Sequence, residues 1–395
     1  MAAAAGDVDY WEDAAMKILK AYKTELDPNN KQRTFFARCC GASRYVYNWG
    51  LAEWKSQYES GDKPSAYALR KQFNAQKDEA CPWIRALPYA VTEAAFLNLG
   101  LAFQHFFRRC KNNVNNPGYP NFKKRGRYGS FQVRNLKVES DRVRITSIGW
   151  VRLKERNYIP INAAKYGIYA TVSERAGRWF ISVQVEEESL NLDDDSNTIV
   201  IGVDFGLKAL AVCSDGTVYE NLKPLVSAEK KLKRLDRELA RRTQGGSNWR
   251  KTQKKRQRQY AKIANIRAHM LHNISHDLVV NKHPAIIVIE NLNVSGMMAN
   301  HRLAKAIQDA GFYELRRQIE YKAKWHGVKV IVVDGFFPSS KLCSNCGSIN
   351  DDLTLADRIY VCDCGNKIDR DLNAALNLAA YGVLKAETQP DCLGS

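Results

Sequence analysis

Two short apolar runs constrain this chain more than any other feature. Residues Thr198–Gly206 and Ala285–Glu290 are aliphatic along almost their whole length, without a polar residue at every second position. Alternation marks a strand with one wet face, so its absence predicts strands covered on both faces, as in a sheet flanked by helices. Val328–Val333 fits as another strand of that sheet, and Ala209–Cys213, closed by the turn Ser214–Gly216, fits as a hairpin partner of the first. The first two runs each end in a carboxylate, Asp204 and Glu290, at the sheet edge where a ligand can approach. A third acid is available in residues 369–377, which open an Ala/Leu-rich helix able to pack on the sheet. Three carboxylates from separate elements can hold two magnesium ions, which activate a water and stabilise the leaving oxygen in phosphodiester cleavage. Taken singly, each Asp is more simply a turn or cap residue, so the trio is the informative unit.

Four cysteines make a second constellation. Cys343 and Cys346, then Cys362 and Cys364 after fifteen intervening residues, form two knuckles, each followed by glycine (Gly347, Gly365). Two tight turns can deliver four thiolates to one tetrahedral structural zinc with no deep core beneath them. The second knuckle has one intervening residue where a zinc ribbon usually has two, which leaves a weakened or three-ligand site as the alternative. Cys39, Cys40, Cys81, Cys110, Cys213 and Cys392 lack such spacing and are expected to be free thiols.

Length and charge narrow the class of function. At 395 residues, 45% apolar and 26% charged, the chain suits a folded protein of two or three packing units. Ten cysteines are too few for a disulfide scaffold. No run approaches the roughly 18 apolar residues of a membrane span, and Asp7, Asp9, Glu12 and Asp13 stand where a secretion signal would carry lysines. The expectation is a chain that is neither secreted nor membrane-inserted, cytoplasmic and nucleoid-associated in a prokaryote. The formal charge of +18 is concentrated: residues 221–270 hold 16 Lys/Arg against Glu229, Asp236 and Glu238, and residues 108–138 hold 9 basic and no acidic residues. Solvated helix faces usually mix both signs, so these stretches point to a polyanion, nucleic acid above all, with a plain solvated face as the alternative. Within them, Lys251, Lys254, Lys255 and Arg256 are expected to contact phosphates.

The order of elements follows from periodicity. Residues 1–15 show no period and read as an extension; strand alternation starts at Met16 and stops at Pro28. Helical spacing predicts helices over 31–60, 65–79 and 89–109, the last with Ala95, Leu99, Phe103 and Phe106 on one apolar side. Period-two pattern returns from Phe122 to Glu187, and the polar stretch 191–197 separates two halves of different texture. In the second half a basic helical hairpin broken at Gly245–Gly246 carries Leu232, Leu235 and Leu239, then Tyr260, Ile263, Ile266, Met270 and Ile274, at helical spacing, and one helix is predicted from His301 to His326. Aromatics interleave with charge at Arg44–Trp49 and Pro120–Arg125. Tyr45 and Trp49 could stack on bases or simply be core, and Lys123, Lys124 and Arg125 could meet phosphates.

Ile201–Gly206, Ile289–Leu292, Asp309–Phe312, Tyr321–Trp325, Pro338–Gly347 and Asp369–Ala375, in that order, resemble the TnpB family of transposon-encoded RNA-guided nucleases, related to type V CRISPR effectors. Tyr45–Trp49 and Pro120–Arg125 are also similar, and the resemblance spans about residues 16–384. It implies an α/β plus β-barrel protein: an oligonucleotide-binding wedge barrel (16–30 and 116–190) interrupted by a helical recognition lobe (31–115), a linker (191–197), a RuvC-like nuclease of RNase H fold (198–338 and 367–384) with an inserted zinc ribbon (339–366), and a tail (385–395). It also implies that Asp204, Glu290 and Asp371, rather than Asp369, ligate two magnesium ions, and that the partners are a guide RNA and double-stranded target DNA. The shortened second knuckle and the acidic extension depart from the family pattern. A nuclease-inactive RNA-guided repressor and an unguided metal-dependent nuclease are the competing expectations.

Overall fold

The computed structural model describes residues 17–126, 129–160, 169–188, 198–354 and 357–388. The N-terminal extension, the 191–197 linker, Cys392 and the last residues of the tail lie outside them. The chain forms two compact units that divide between Glu187 and Glu188.

The first unit starts with β1 (Lys17–Asp27). Pro28 ends the strand, and Asn29 opens α1 (Asn30–Glu59) with a reciprocal cap: its side chain accepts from the Gln32 N–H at 2.9 Å, while Gln32 Oε1 accepts from the Asn29 N–H at 3.0 Å. Six strands follow the helices: β2 (Ser130–Val133), β3 (Lys137–Val138), β4 (Arg142–Ile145), β5 (Gly149–Leu153), β6 (Ala170–Arg175) and β7 (Arg178–Glu188). With β1 they make one sheet of order β2-β6-β7-β1-β5-β4-β3. Its ends, β2 and β3, do not pair with each other among the described residues, so the expected barrel is open at that edge. The two halves of the long α1 face different cores. Phe36, Cys39 and Ala42 join the sheet residues Phe131, Val172 and Ile181, whereas Val46, Leu51 and Trp54 pack with α2 (Ala66–Ala80) and α3 (Tyr89–Lys111) through Leu69, Phe73, Leu99 and Phe103. One helix therefore joins the sheet to the helical bundle, with Trp54 stacked on Phe103 at 3.9 Å between centroids.

The second unit holds a five-stranded mixed sheet, β10-β9-β8-β11-β12, built from β8 (Val200–Phe205), β9 (Ala209–Cys213), β10 (Val218–Glu220), β11 (Ile286–Glu290) and β12 (Lys329–Val333). β8, β11 and β12 are parallel, and the hairpin strands β9 and β10 run antiparallel. Between β10 and β11 lies the basic hairpin, α4 (Pro224–Ala240) and α5 (Ser247–His276). Between β11 and β12 lie α6 (Val294–Ala299), α7 (His301–Ala310) and α8 (Phe312–Trp325). The single helix expected over 301–326 is thus two, broken where Gly311 takes φ 75°. The break frees the end of α7 for a different task. Asp309, 1% exposed, accepts from the Leu225 N–H at 2.8 Å, capping α4 from another element, and pairs with Arg267 of α5 at 2.7 Å. A small ribbon, β13 (Ile359–Val361) paired with β14 (Lys367–Asp369), leads into α9 (Arg370–Thr388), which continues past the expected end at residue 384.

Candidate active site and cysteine cluster

Strand alternation sets which way the first two acids point. Ile201 and Val203 of β8, like Ile287 and Ile289 of β11, enter the core shared with α5 and α8, while Val200, Ile286 and Val288 enter the cluster that includes Leu378 of α9. Gly202, Asp204 and Glu290 therefore face the α9 side. The β8/β11 register pairs Ile289 with Val203, so one step on Glu290 and Asp204 lie side by side at the ends of parallel neighbours.

The third acid is brought in by a close helix-on-sheet contact. A Cβ at Gly202 would lie 2.1 Å from the Ala375 carbonyl oxygen and 2.5 Å from the Ala379 nitrogen, so only glycine lets α9 lie this near. At the other end of the contact, a Cβ at Gly382 would meet Val288 and Val200. Since later α9 residues meet earlier β8 residues, the helix runs antiparallel to the strand. Asp204, two strand residues beyond Gly202, is then displaced about 6.6 Å along the sheet; Asp371, four helix residues before Ala375, is displaced about 6 Å in the same direction. Asp369 is exposed and spends Oδ1 on the Asp371 and Leu372 N–H groups, at 2.9 and 3.2 Å, as the cap of α9. Asp371, half-buried, has Arg370 Nη2 3.4 Å from its Oδ1.

Burial, then the neighbouring Glu290 and Asp371 charges, push the Asp204 carboxyl up to about 8, with Arg370 opposing. Three carboxylates converging in a partly desolvated site repel one another unless cations join them, and an all-oxygen donor set suits magnesium. Among the described residues only the cysteines bring three or more ligand atoms within 4.8 Å of one another, so the carboxylates form a wider arrangement. Two-metal sites, with ions about 3.5–4 Å apart, use such spread-out donors.

The ribbon segment reaches this site through residues that the sequence pattern did not single out. Buried Ser339 donates its hydroxyl to Glu290 Oε1. Asn377 Nδ2 donates to the Ser339 and Leu342 carbonyls, both at 2.7 Å, and Asn373 Nδ2 donates to the Leu342 carbonyl at 2.7 Å. Both asparagines are buried on α9, and an amide pair at i and i+4 in an otherwise Ala/Leu helix was the available signal.

The four sulfurs of Cys343, Cys346, Cys362 and Cys364 lie within 4.8 Å of one another. Cys343–Cys364 and Cys346–Cys362 are 3.7 and 3.6 Å apart, close to the ~3.8 Å edge of a tetrahedron with ~2.3 Å zinc–sulfur bonds. The short second knuckle reaches this geometry with a tighter turn. Gly347 N–H bonds the Cys343 carbonyl four residues back, Gly365 N–H the Cys362 carbonyl three back, and both glycines have positive φ. Burial works against the Cys343 thiolate, but donors from the Asn366 side chain and the Cys346 and Asn345 backbone hold the thiol down at about 6. Cys39, Cys40, Cys81, Cys110 and Cys213 are free.

The candidate nucleic-acid residues divide. Trp49 packs on Phe73 and Phe96, at 4.9 and 6.1 Å, and is part of the helical core; Tyr45 is 41% exposed, edge-on to Trp83. Asn48 grips the Lys123 backbone from both sides, accepting its N–H at 2.7 Å and donating to its carbonyl at 3.0 Å. That grip joins the two aromatic-basic stretches beside a cleft of about 680 Å³ lined by Arg44, Phe122, Lys123 and Lys124; Arg125 is exposed nearby in sequence. On α5, Lys251, Lys254 and Lys255 are exposed, whereas Arg256 turns back to Asp236 of α4 at 2.5 Å and lies over the Tyr260 ring. Arg234 and Arg237 of α4, with Arg241 just past its end, line a second basic cleft that the residue pattern had not marked individually.

Comparison with known proteins places the chain. It is 33% identical to "Putative RNA-guided DNA endonuclease InsQ" of Escherichia coli (strain K12), over 93% of each chain. A Streptomyces pristinaespiralis protein described as a "Putative RNA-guided DNA endonuclease" is 31% identical over 93% of this chain and 90% of its own. The chain belongs to the TnpB family. Models for a helix-turn-helix domain, a probable transposase and a Cas12f1-like TNB domain match residues 16–63, 180–301 and 312–378 of this TnpB-family chain. Residues 17–63 hold a strand and one long helix instead of a helix-turn-helix. "CRISPR-associated endodeoxyribonuclease Cas12f1" of Sulfoacidibacillus thermotolerans is 26% identical over 54% of this chain and 52% of its own. The fold is similar to that of a solved Cas12f1–sgRNA–target DNA complex, with TM-score 0.52 and 16% identity over 88% of this chain and 83% of that one.

Proposed function

We propose that this chain is an RNA-guided DNA endonuclease whose nuclease centre is Asp204, Glu290 and Asp371. The observation that carries the reading is the close approach of α9 to β8 at Gly202, which gathers carboxylates from three elements at one sheet edge. The second-unit sheet with α9 is read as a RuvC-like nuclease of RNase H fold, residues 339–366 as its zinc ribbon, and the first unit as wedge barrel and recognition lobe. The carboxylates are acceptor-only ligands, suited to two magnesium ions. Such ions, when bound, supply the activated water and stabilise the leaving oxygen of phosphodiester hydrolysis. The chain's own part is to hold Asp204 partly desolvated at the end of β8, orient Glu290 and bring Asp371 in on a rigid helix. The four thiols have the spacing and donors for one structural zinc.

Exposed Lys251, Lys254 and Lys255, with the α4 arginines, are placed to hold the phosphates of a guide RNA and its duplex with target DNA. Base pairing then supplies sequence, and the protein reads a short adjacent motif in duplex DNA. The relatives' descriptions as RNA-guided DNA endonucleases support the same reading. The test is to purify the protein, sequence the RNA that copurifies, and assay cleavage of matched and mismatched DNA. Cutting that ignores the RNA sequence would sink the guided reading.

A further inference from the structure

Glu290 is the last residue of β11, paired with Val333 of β12, and its carboxylate sits at the end of a flexible side chain. To serve as a metal ligand it must present one oxygen in a fixed direction. The structure gives that direction a source. Ser339 is 4% exposed and its hydroxyl donates to Oε1, which leaves Oε2 for a ligand.

Ser339 is itself held on both sides. Its N–H donates to the Phe337 carbonyl at 2.8 Å, and its carbonyl accepts from Asn377 Nδ2 at 2.7 Å. Asn377 lies six residues after Asp371 on α9, and with Asn373 it also grips the Leu342 carbonyl. Asn373 Oδ1 further accepts the Ser344 N–H at 3.0 Å. Residues 339–344, the base of the cysteine ribbon, are thereby fastened to the helix that carries one acid while orienting the side chain of another. Ser340, next in the chain and half-buried, makes no bond to Glu290.

We propose that Ser339 is a positioning residue for the nuclease centre: its hydroxyl holds Glu290 in the rotamer that binds a divalent cation, in register with Asp371 through Asn377. The inference rests on the reading of Glu290 as a metal ligand. A hydroxyl that orients a ligating carboxylate acts through metal affinity and turnover, and loss of such a partner commonly costs 10–100-fold in either.

The test uses the full chain with its guide RNA and target DNA, with manganese as the spectroscopic probe of the cation site. Ser339→Ala is expected to weaken manganese binding, measured by electron paramagnetic resonance, and to lower single-turnover cleavage, each about 10–100-fold, with guide and target affinity unchanged. Ser339→Thr, which keeps the hydroxyl, is expected to restore both, and Ser340→Ala to leave both as in the parent. In a Glu290→Ala background, Ser339→Ala should produce no further loss of manganese affinity, because the group it positions is gone. Equal losses in both backgrounds, equal losses from Ser340→Ala, or parental manganese binding in Ser339→Ala would each overturn the proposal. Glu290→Ala that still binds manganese and cuts like the parent would instead remove Glu290 from the site, a separate failure of the underlying reading.

Discussion

Replacing Gly202 with alanine tests the contact on which the candidate site depends. The added Cβ would lie 2.1 Å from a backbone oxygen and 2.5 Å from a backbone nitrogen of α9, atoms that no rotamer change can move away. Restoring an ordinary 3.4 Å contact requires α9 to retreat by about 1.3 Å. Overpacking of this kind costs about 1–3 kcal/mol, which the rest of the interface can absorb without unfolding. The functional cost is larger, because Asp371 moves with the helix while Asp204 and Glu290 stay with the sheet. Magnesium demands oxygens at 2.0–2.1 Å in near-octahedral geometry, and a misplacement of about 1 Å can cost roughly 100-fold in rate. Gly202→Ala should therefore lower single-turnover cleavage by about 100-fold or more, with guide RNA affinity unchanged and Tm lowered by a few degrees. Gly382→Ala is the comparison: its Cβ meets the Val288 and Val200 side chains rather than backbone, at the far end of the contact from the acids. It should cost stability but cut at nearly the parental rate. If Gly202→Ala cleaves within threefold of the parent, the close approach of α9 is not what assembles the site.

Asp204→Ala should abolish cleavage while RNA binding stays near normal; substantial magnesium-dependent cutting would remove Asp204 from the centre. The parent should contain about one zinc per chain by elemental analysis, and Cys364→Ser should release it and expose residues 339–366 to protease while the sheet stays folded. Changing Lys251, Lys254 and Lys255 together to Gln should weaken RNA and duplex binding across sequences and flatten the slope of log affinity against log salt by about two to three, whereas Arg256→Gln should mainly lower Tm through its lost pair with Asp236. Buried Lys322, donating to the His272 carbonyl and to Ser275, has its ammonium pushed down to about 8 by burial. The folded state then holds this proton less tightly than the unfolded chain, so the penalty is full below pH 8 and is relieved as pH rises toward 10.5. Lys322→Met should gain stability relative to the parent at pH 7 and lose that advantage by pH 10.5, as read by thermal melts; a difference independent of pH would refute the burial account.

The legible features were those set by local pattern. Unbroken aliphatic runs predicted β8 and β11, because covered strands have no polar face to display. The knuckle spacing predicted the sulfur cluster, because a few residues of turn fix where neighbouring sulfurs go. Clustered lysines predicted a basic hairpin for the same reason of proximity along the chain. Other features depended on residues far apart in sequence. Periodicity does not tell Asp369 from Asp371; in the folded chain Asp369 caps α9, while of the two it is the Asp371 charge that weighs more on Asp204. Trp49 and Arg256 matched a nucleic-acid pattern, yet Phe73 and Phe96 claim the first and Asp236 the second. The helix break at Gly311 gained its purpose from Asp309 reaching α4 some eighty residues earlier in the chain. Ser339, Asn373 and Asn377 carried little signal, since a hydroxyl or amide acquires its role from whichever partner the fold delivers. Periodicity records which face of an element is dry; a pair meeting across 49 residues, such as Ser339 and Glu290, exists only once packing has closed the loop between them.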